Sequence, residues 1–128
     1  IKEIFKEYFK VSTFHKKELS LLVSELSKTR KVKEVRENDK VNQTQLAMLY
    51  SLVGITDYER KYVLPIYGEL LGGGSNSILF DTVREKNSYA YHVNALVKPY
   101  DNIMMVYSGI ENGNDKNVIK LIEKSFVL

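Results

Sequence analysis

Residues 89–110 read YAYHVNALVKPYDNIMMVYSGI, and this stretch decides the fold class. Tyrosine, tyrosine, valine, alanine and valine occupy every second position from 89 to 97, which is the two-residue period of a β-strand with unlike faces. Residues 98–102 include proline, aspartate and asparagine, which favour turns, and an apolar run follows at 103–110. The stretch therefore predicts two antiparallel strands, the first with a face that carries Tyr89 and Tyr91.

A third strand is predicted upstream, between Val41 and Val53. Alternate residues there are large and would share the buried side of an extended chain: Leu46, Met48, Tyr50 and Leu52. After this strand, Thr56 and Glu59 have the spacing of a capping box, in which a hydroxyl and a carboxylate bind the free amides at a helix start. We expect a helix to follow, with a kink at Pro65 because proline lacks an amide donor. Its inward stripe would consist of Tyr62, Val63, Ile66 and Leu70.

Two more helices complete the predicted architecture. Gly72–Gly74 should end the first helix, and Ser75 or Asn76 should cap a second one that ends near Asn87. Asn114 or Asp115 should cap the last helix. The second helix would carry Ile78, Leu79 and Val83, and the last would carry Val118, Ile119, Leu121 and Ile122. This order predicts an α+β two-layer sandwich, a mainly antiparallel sheet with helices on one face.

The chain is expected to be a single domain, residues 1–128, in two parts. Residues 1–40 form a helical upstream segment, because apolar residues recur there at three- and four-residue spacing, and residues 41–128 form the α+β unit. The start at Ile1 and the apolar end at residues 126–128 predict a piece cut from a longer polypeptide. The absence of cysteine is typical of a reducing compartment and favours the cytoplasm.

The sequence offers little for metal or nucleophilic chemistry. His15 and Glu18 begin like the inverted zinc motif H-x-x-E-H, but Leu19 stands at the second histidine position and cannot bind a metal. His92, on a predicted strand, is expected to be a packed or surface residue. A catalytic zinc usually takes three protein ligands, so the segment alone is not expected to hold a metal.

The residues from Leu70 to Tyr91 carry a longer pattern. A helix ends in a triple glycine, a Ser-x-Leu-Phe helix follows at 77–80, an Arg-Glu-Lys group stands at 84–86, and a strand begins with Tyr-Ala-Tyr at 89–91. This order resembles the second-half domain of the insulinase, pitrilysin and mitochondrial-processing-peptidase family of zinc metallopeptidases. That family usually has leucine at the position of Tyr89. The resemblance extends from about Val41 to the C-terminus and implies the fold of the mitochondrial-processing-peptidase-like metallopeptidases.

The resemblance also implies a role. In this family the first half carries the zinc motif, and the second half supplies an arginine and a tyrosine that contact the substrate; these correspond to Arg84 and Tyr91. It implies that this segment is the non-catalytic, substrate-binding half of an endopeptidase that acts on peptides. The zinc would then be bound by the N-terminal half. The implied partners are a peptide substrate and the zinc-binding half or a partner subunit, in a homo- or heterodimer.

Two other functions stay open at this stage. Members of the family also serve as inactive partners in assemblies, and the segment is equally compatible with that role. The net charge of +3 and pI near 9.0 would also suit a basic nucleic-acid-binding module. However, acids are interleaved with the basic residues, as in Lys31–Glu37, which favours a solvated surface over a nucleic-acid or membrane partner.

Overall fold

A three-stranded antiparallel sheet organises the computed structural model, which describes Glu3 and residues 31–126. The strands are β1 (Thr44–Ser51), β2 (Ala90–Lys98) and β3 (Ile103–Ile110), and β3 lies between the other two. Residues 31–43 contain no helix or strand. The helices predicted near residues 1–9 and 18–26, and the His15–Glu18 pair, lie outside the described residues.

The alternation in the sequence determines which face of the sheet is buried. On β1 the half-buried residues alternate strictly with exposed ones, so Leu46, Met48 and Tyr50 share the covered face as predicted. On the central strand, Val106 and Ile110 are fully buried and Met104 nearly so. β2 and β3 pair antiparallel across the 3-10 turn Pro99–Asp101, which confirms the predicted connection.

The first helix begins at the predicted capping box. The Thr56 backbone amide donates to Glu59 Oε2 at 2.8 Å, and the Glu59 amide donates back to Thr56 Oγ1 at 3.3 Å. A π-helical turn, Glu59–Val63, leads directly into helix α1 (Leu64–Gly72), with Pro65 in its first turn. The irregularity expected at Pro65 is thus a wide turn before the proline, where the Leu64 amide bonds to the Glu59 carbonyl.

The predicted inward stripe of this helix is wrong. Tyr62, Val63, Ile66 and Leu70 are 44–62% exposed. The buried residues of this helix are instead Gly68, Leu71 and Gly72. The two glycines lie against β2: a Cβ at Gly72 would lie 2.4 Å from the Ala95 backbone nitrogen, and one at Gly68 would lie 2.8 Å from Val97 Cγ2. The backbone of α1 therefore approaches β2 more closely than large side chains would allow.

A second π-helical turn, Phe80–Glu85, follows the triple glycine. The hydroxyl that caps this segment belongs to Ser77, which accepts the Phe80 amide at 3.4 Å, and not to the predicted Ser75 or Asn76. The helical segment ends at the predicted place, where the Asn87 side-chain amide donates to the Thr82 carbonyl at 2.6 Å. Ser88, with φ of 53°, then turns the chain into β2.

The last helix, α2 (Asp115–Ser125), has Asn114 at its N-cap position as predicted, although the Asn114 side chain does not cap it. Its buried residues, Val118 and Ile122, meet the second π-helical turn and the sheet. The fully buried side chains come from all layers: Leu71, Leu79, Val83, Val106, Ser108, Ile110, Val118 and Ile122. The α+β prediction, helices on one face of an antiparallel sheet, is confirmed. Across the described residues, every helix is too short or too polar to serve as a transmembrane span.

Candidate functional site

Tyr91 stands at a β-bulge at the start of β2. Ala90 pairs with Ile110 and His92 pairs with Gly109, so Tyr91 is an extra residue opposite the continuous ladder of β3. Ala90 is buried, whereas Tyr91 is 62% exposed. The predicted strand face shared by Tyr91 and Val93 is therefore wrong, because the bulge breaks the two-residue alternation at this position. The bulge presents the phenol to solvent.

Arg84 lies on the second π-helical turn, seven residues before Tyr91, and its side chain is exposed. Its guanidinium carbon is 4.7 Å from the centroid of the Phe80 ring, a cation–π contact that holds the side chain against the helix surface. Within residues 31–126, no carboxylate lies at ion-pair distance from it. The donor fork of the guanidinium is thus accessible to a ligand.

A pocket of about 220 Å³, here called the tyrosine pocket, lies beside the bulge. It is lined by Ser88, Tyr89, Ala90, Tyr91 and Glu111. The Glu111 amide donates to the Tyr89 carbonyl at 3.2 Å, which fixes the end of β3 against the chain entering β2. The pocket brings together a phenol and a carboxylate. Tyr91 therefore lines a concave site, and Arg84 is not among the residues around it.

A second cleft of about 200 Å³, here called the lysine cleft, shares Tyr89 with the tyrosine pocket. It is lined by Asn87, Tyr89, Asn117, Lys120, Leu121 and Lys124. Sequence reasoning missed it because its residues come from two parts of the chain that are distant in sequence, 87–89 and 117–124. The spacing of Lys120 and Lys124, four residues apart on a helix, was the one available signal.

The backbone along the outer edge of β2 is a further candidate binding surface. Within residues 31–126 it pairs with β3 alone, so its other edge has no neighbouring strand. Such an edge presents amide and carbonyl groups that an extended peptide can pair with. The bulge and Tyr91 stand at the start of this edge.

His92 is a packed residue on the sheet face opposite the helices, in agreement with the prediction. Its ring centroid is 6.4 Å from that of Tyr107, and it lies over Gly109, where a Cβ would come within 2.4 Å of His92 Cε1. Gln43 approaches the same glycine from the other side. In the described part of the chain, no three His, Cys, Asp or Glu side chains are grouped to hold a metal ion.

Comparison with known proteins identifies what the chain is similar to. The family model described as the peptidase M16 inactive domain matches residues 1–127. Over 95 residues, 73% of this chain, the sequence is 36% identical to a probable inactive metalloprotease, YmfF, of Bacillus subtilis (strain 168).

Two solved structures share the fold, each at 25% sequence identity. A conserved protein from Enterococcus faecalis V583 matches 78% of this chain with a TM-score of 0.73. A peptidase M16 inactive domain from Pseudomonas fluorescens matches 68% of it with a TM-score of 0.53. The matched regions cover 22–24% of these relatives, so the chain spans about a quarter of their length.

Proposed function

Because this chain belongs to the peptidase M16 family as part of its inactive domain, we propose that it is the substrate-binding half of an insulinase-like zinc endopeptidase. One observation carries the proposal: the bulge exposes Tyr91 beside a pocket, at the start of a strand edge that lacks a neighbour within the described residues. A side chain and a backbone edge are thereby available to the same extended peptide.

The chemistry of the two side chains suits a peptide. The guanidinium of Arg84 offers a planar pair of donors for a carbonyl oxygen, and the phenol of Tyr91 can donate one hydrogen bond to such an oxygen. A hydrogen bond from a fixed donor grows stronger as negative charge develops on that oxygen during hydrolysis. We therefore assign to Arg84 the orientation of the peptide and to Tyr91 the stabilisation of the reacting carbonyl.

The zinc implied by the family belongs, in this proposal, to the other half of the molecule. The described residues do not fit a zinc site, since they bring no three suitable ligands together and His92 lies against Gly109. This chain therefore binds and orients the peptide, and its partner is a zinc-binding half or subunit. The lack of cysteine leads us to place the protein in the cytoplasm.

Substitution of Tyr91 by phenylalanine tests the proposal in the full-length protein. Tyr91→Phe keeps the ring and removes the donor, so we expect kcat for an extended peptide to fall by about 100-fold with little change in KM. Tyr107→Phe is the matched control, because that partly exposed tyrosine lies on β3 outside the tyrosine pocket. Unchanged turnover in Tyr91→Phe would remove the phenol from the mechanism.

A second candidate is an inactive partner that supports assembly. It is favoured by the description of the Bacillus subtilis relative as a probable inactive metalloprotease. Under this alternative, the purified protein hydrolyses no peptide but raises the activity of a catalytic subunit with which it forms a stable complex. Peptide hydrolysis by the protein alone, abolished by a metal chelator, would exclude the alternative.

A further inference from the structure

The polar residues that line the lysine cleft are all neutral or positively charged. Two lysines, two asparagines and a tyrosine line it, and among residues 31–126 no aspartate or glutamate does. Every one of these polar groups can donate a hydrogen bond. We propose that the cleft is a carboxylate-binding subsite for the peptide, an inference that rests on the proposed function and names a chemical preference of the substrate.

The two lysines lie four residues apart on α2, with Glu123 between them in sequence. Residues four apart on a helix are adjacent, so Lys120 and Lys124 repel each other slightly. Among residues 31–126 neither takes part in an ion pair. Glu123 forms no ion pair with either lysine among the described residues; burial, together with the charge of Glu123, raises the pKa of Tyr50 to about 12. An anion bound between the lysines would relieve their repulsion.

The two carboxylates of the second π-helical turn, Asp81 and Glu85, do not line the cleft. Lys86 Nζ forms an ion pair with Asp81 at 2.6 Å. The Asn87 side chain, anchored by its bond to the Thr82 carbonyl, has a second amide hydrogen to offer. The Asn87 amide is therefore a positioned donor beside the two exposed lysines.

Tyr89 connects the cleft with the proposed peptide site. It lines both the lysine cleft and the tyrosine pocket, which holds Tyr91 and Glu111. A peptide at the start of β2 would thus meet a carboxylate in the tyrosine pocket and two ammonium groups in the lysine cleft. This polarity favours a peptide whose acidic group, either a side chain or the C-terminal carboxylate, lies on the α2 side.

The experiment compares three peptides of equal length and measures their binding to the full-length protein by fluorescence anisotropy. One peptide carries a glutamate and an amidated C-terminus, the second replaces glutamate by glutamine, and the third has glutamine with a free C-terminus. We expect one of the two acidic peptides to bind roughly three- to tenfold more tightly than the neutral one, because exposed ion pairs are individually weak. The acidic peptide that binds more tightly identifies the source of the carboxylate.

The double variant Lys120→Gln/Lys124→Gln should lose this preference and bind the neutral peptide as before. Lys116→Gln is the control, because Lys116 is exposed on the same helix but does not line the cleft. The preference should also shrink as salt is raised. All substituted lysines are exposed, so unchanged thermal unfolding is expected and is checked for each variant.

The outcomes separate this inference from the proposed function. Equal binding of all three peptides to the wild type would overturn the carboxylate subsite while leaving peptide binding intact. The same holds if the preference survives in the double variant. No binding of any peptide would overturn both.

Discussion

Single residues in this chain act through the backbone they contact, and Arg60 is the clearest case. It is 8% exposed at the start of the first helix, and its guanidinium donates to the Pro99 carbonyl and to the Asn102 side-chain oxygen. A further bond reaches the Ile55 carbonyl at 3.4 Å, and Asp57 lies 3.9 Å from Nε. One side chain therefore ties the helix start to the turn between β2 and β3.

Arg60→Met, which keeps the aliphatic stem, should lower the free energy of unfolding by about 3 kcal/mol, because it removes the charged donor from the buried Asn102 side-chain oxygen and from two part-buried carbonyls. Arg36→Met is the control, since Arg36 is 61% exposed and pairs with Asp115 at the surface. The control should change stability by at most about 1 kcal/mol. Urea unfolding measures both, and equal losses would contradict the anchoring role.

At the scale of elements, α1 lies close to β2 because two glycines face the strand. Gly72→Ala should destabilise the protein by about 2–3 kcal/mol, since the added Cβ would meet the backbone of Ala95, which cannot move aside. At Gly74 the same substitution points into open space and should change stability by about 0.5 kcal/mol or less. Thermal unfolding compares the pair, and equal effects would show that the close approach is unimportant.

The capping box at the start of the same helix makes the stability of the fold depend on pH. Hydrogen bonds from the Thr56 backbone and hydroxyl lower the pKa of Glu59 from its usual 4.5. A carboxylate whose pKa is lowered by folding stabilises the fold above its unfolded pKa, and this contribution is lost as pH falls through the folded value. Glu59→Gln should therefore lower the free energy of unfolding at pH 7. In strong acid the variant and the wild type should have the same free energy of unfolding. A constant difference from pH 7 to pH 2 would refute this.

At the scale of the whole molecule, the sheet and its covered face followed from the sequence because the two-residue period is strict on β1. The orientation of α1 did not, because the face toward β2 is formed by Gly68, Leu71 and Gly72, whereas the larger apolar stripe is exposed. Tyr62 and Ile66 were therefore assigned to the wrong side. A stripe of large apolar residues does not identify the buried face of a helix where glycines allow a close backbone approach.

The candidate site was predicted only in part. Arg84 and Tyr91 were identified from the resemblance, and their contact with a peptide remains a prediction. The bulge that exposes Tyr91 has no signature in the strand pattern, since Tyr91 fits the alternation with Val93. The lysine cleft forms only after folding brings residue 87 beside residues 117–124. Positions distant in sequence cannot be joined by a local pattern.

Because β2 contains one extra residue at the bulge, the direction of the Tyr91 phenol depends on the number of residues that precede it as well as on residue identity. If one position were removed just before Tyr91, the ladder could close evenly, and the tyrosine would take the inward place now held by Ala90. Two relatives with the same aromatic residue but a different spacing would then present unlike surfaces. The number of residues between the second π-helical turn and the bulge should therefore be compared among homologues, together with the identity of the aromatic residue.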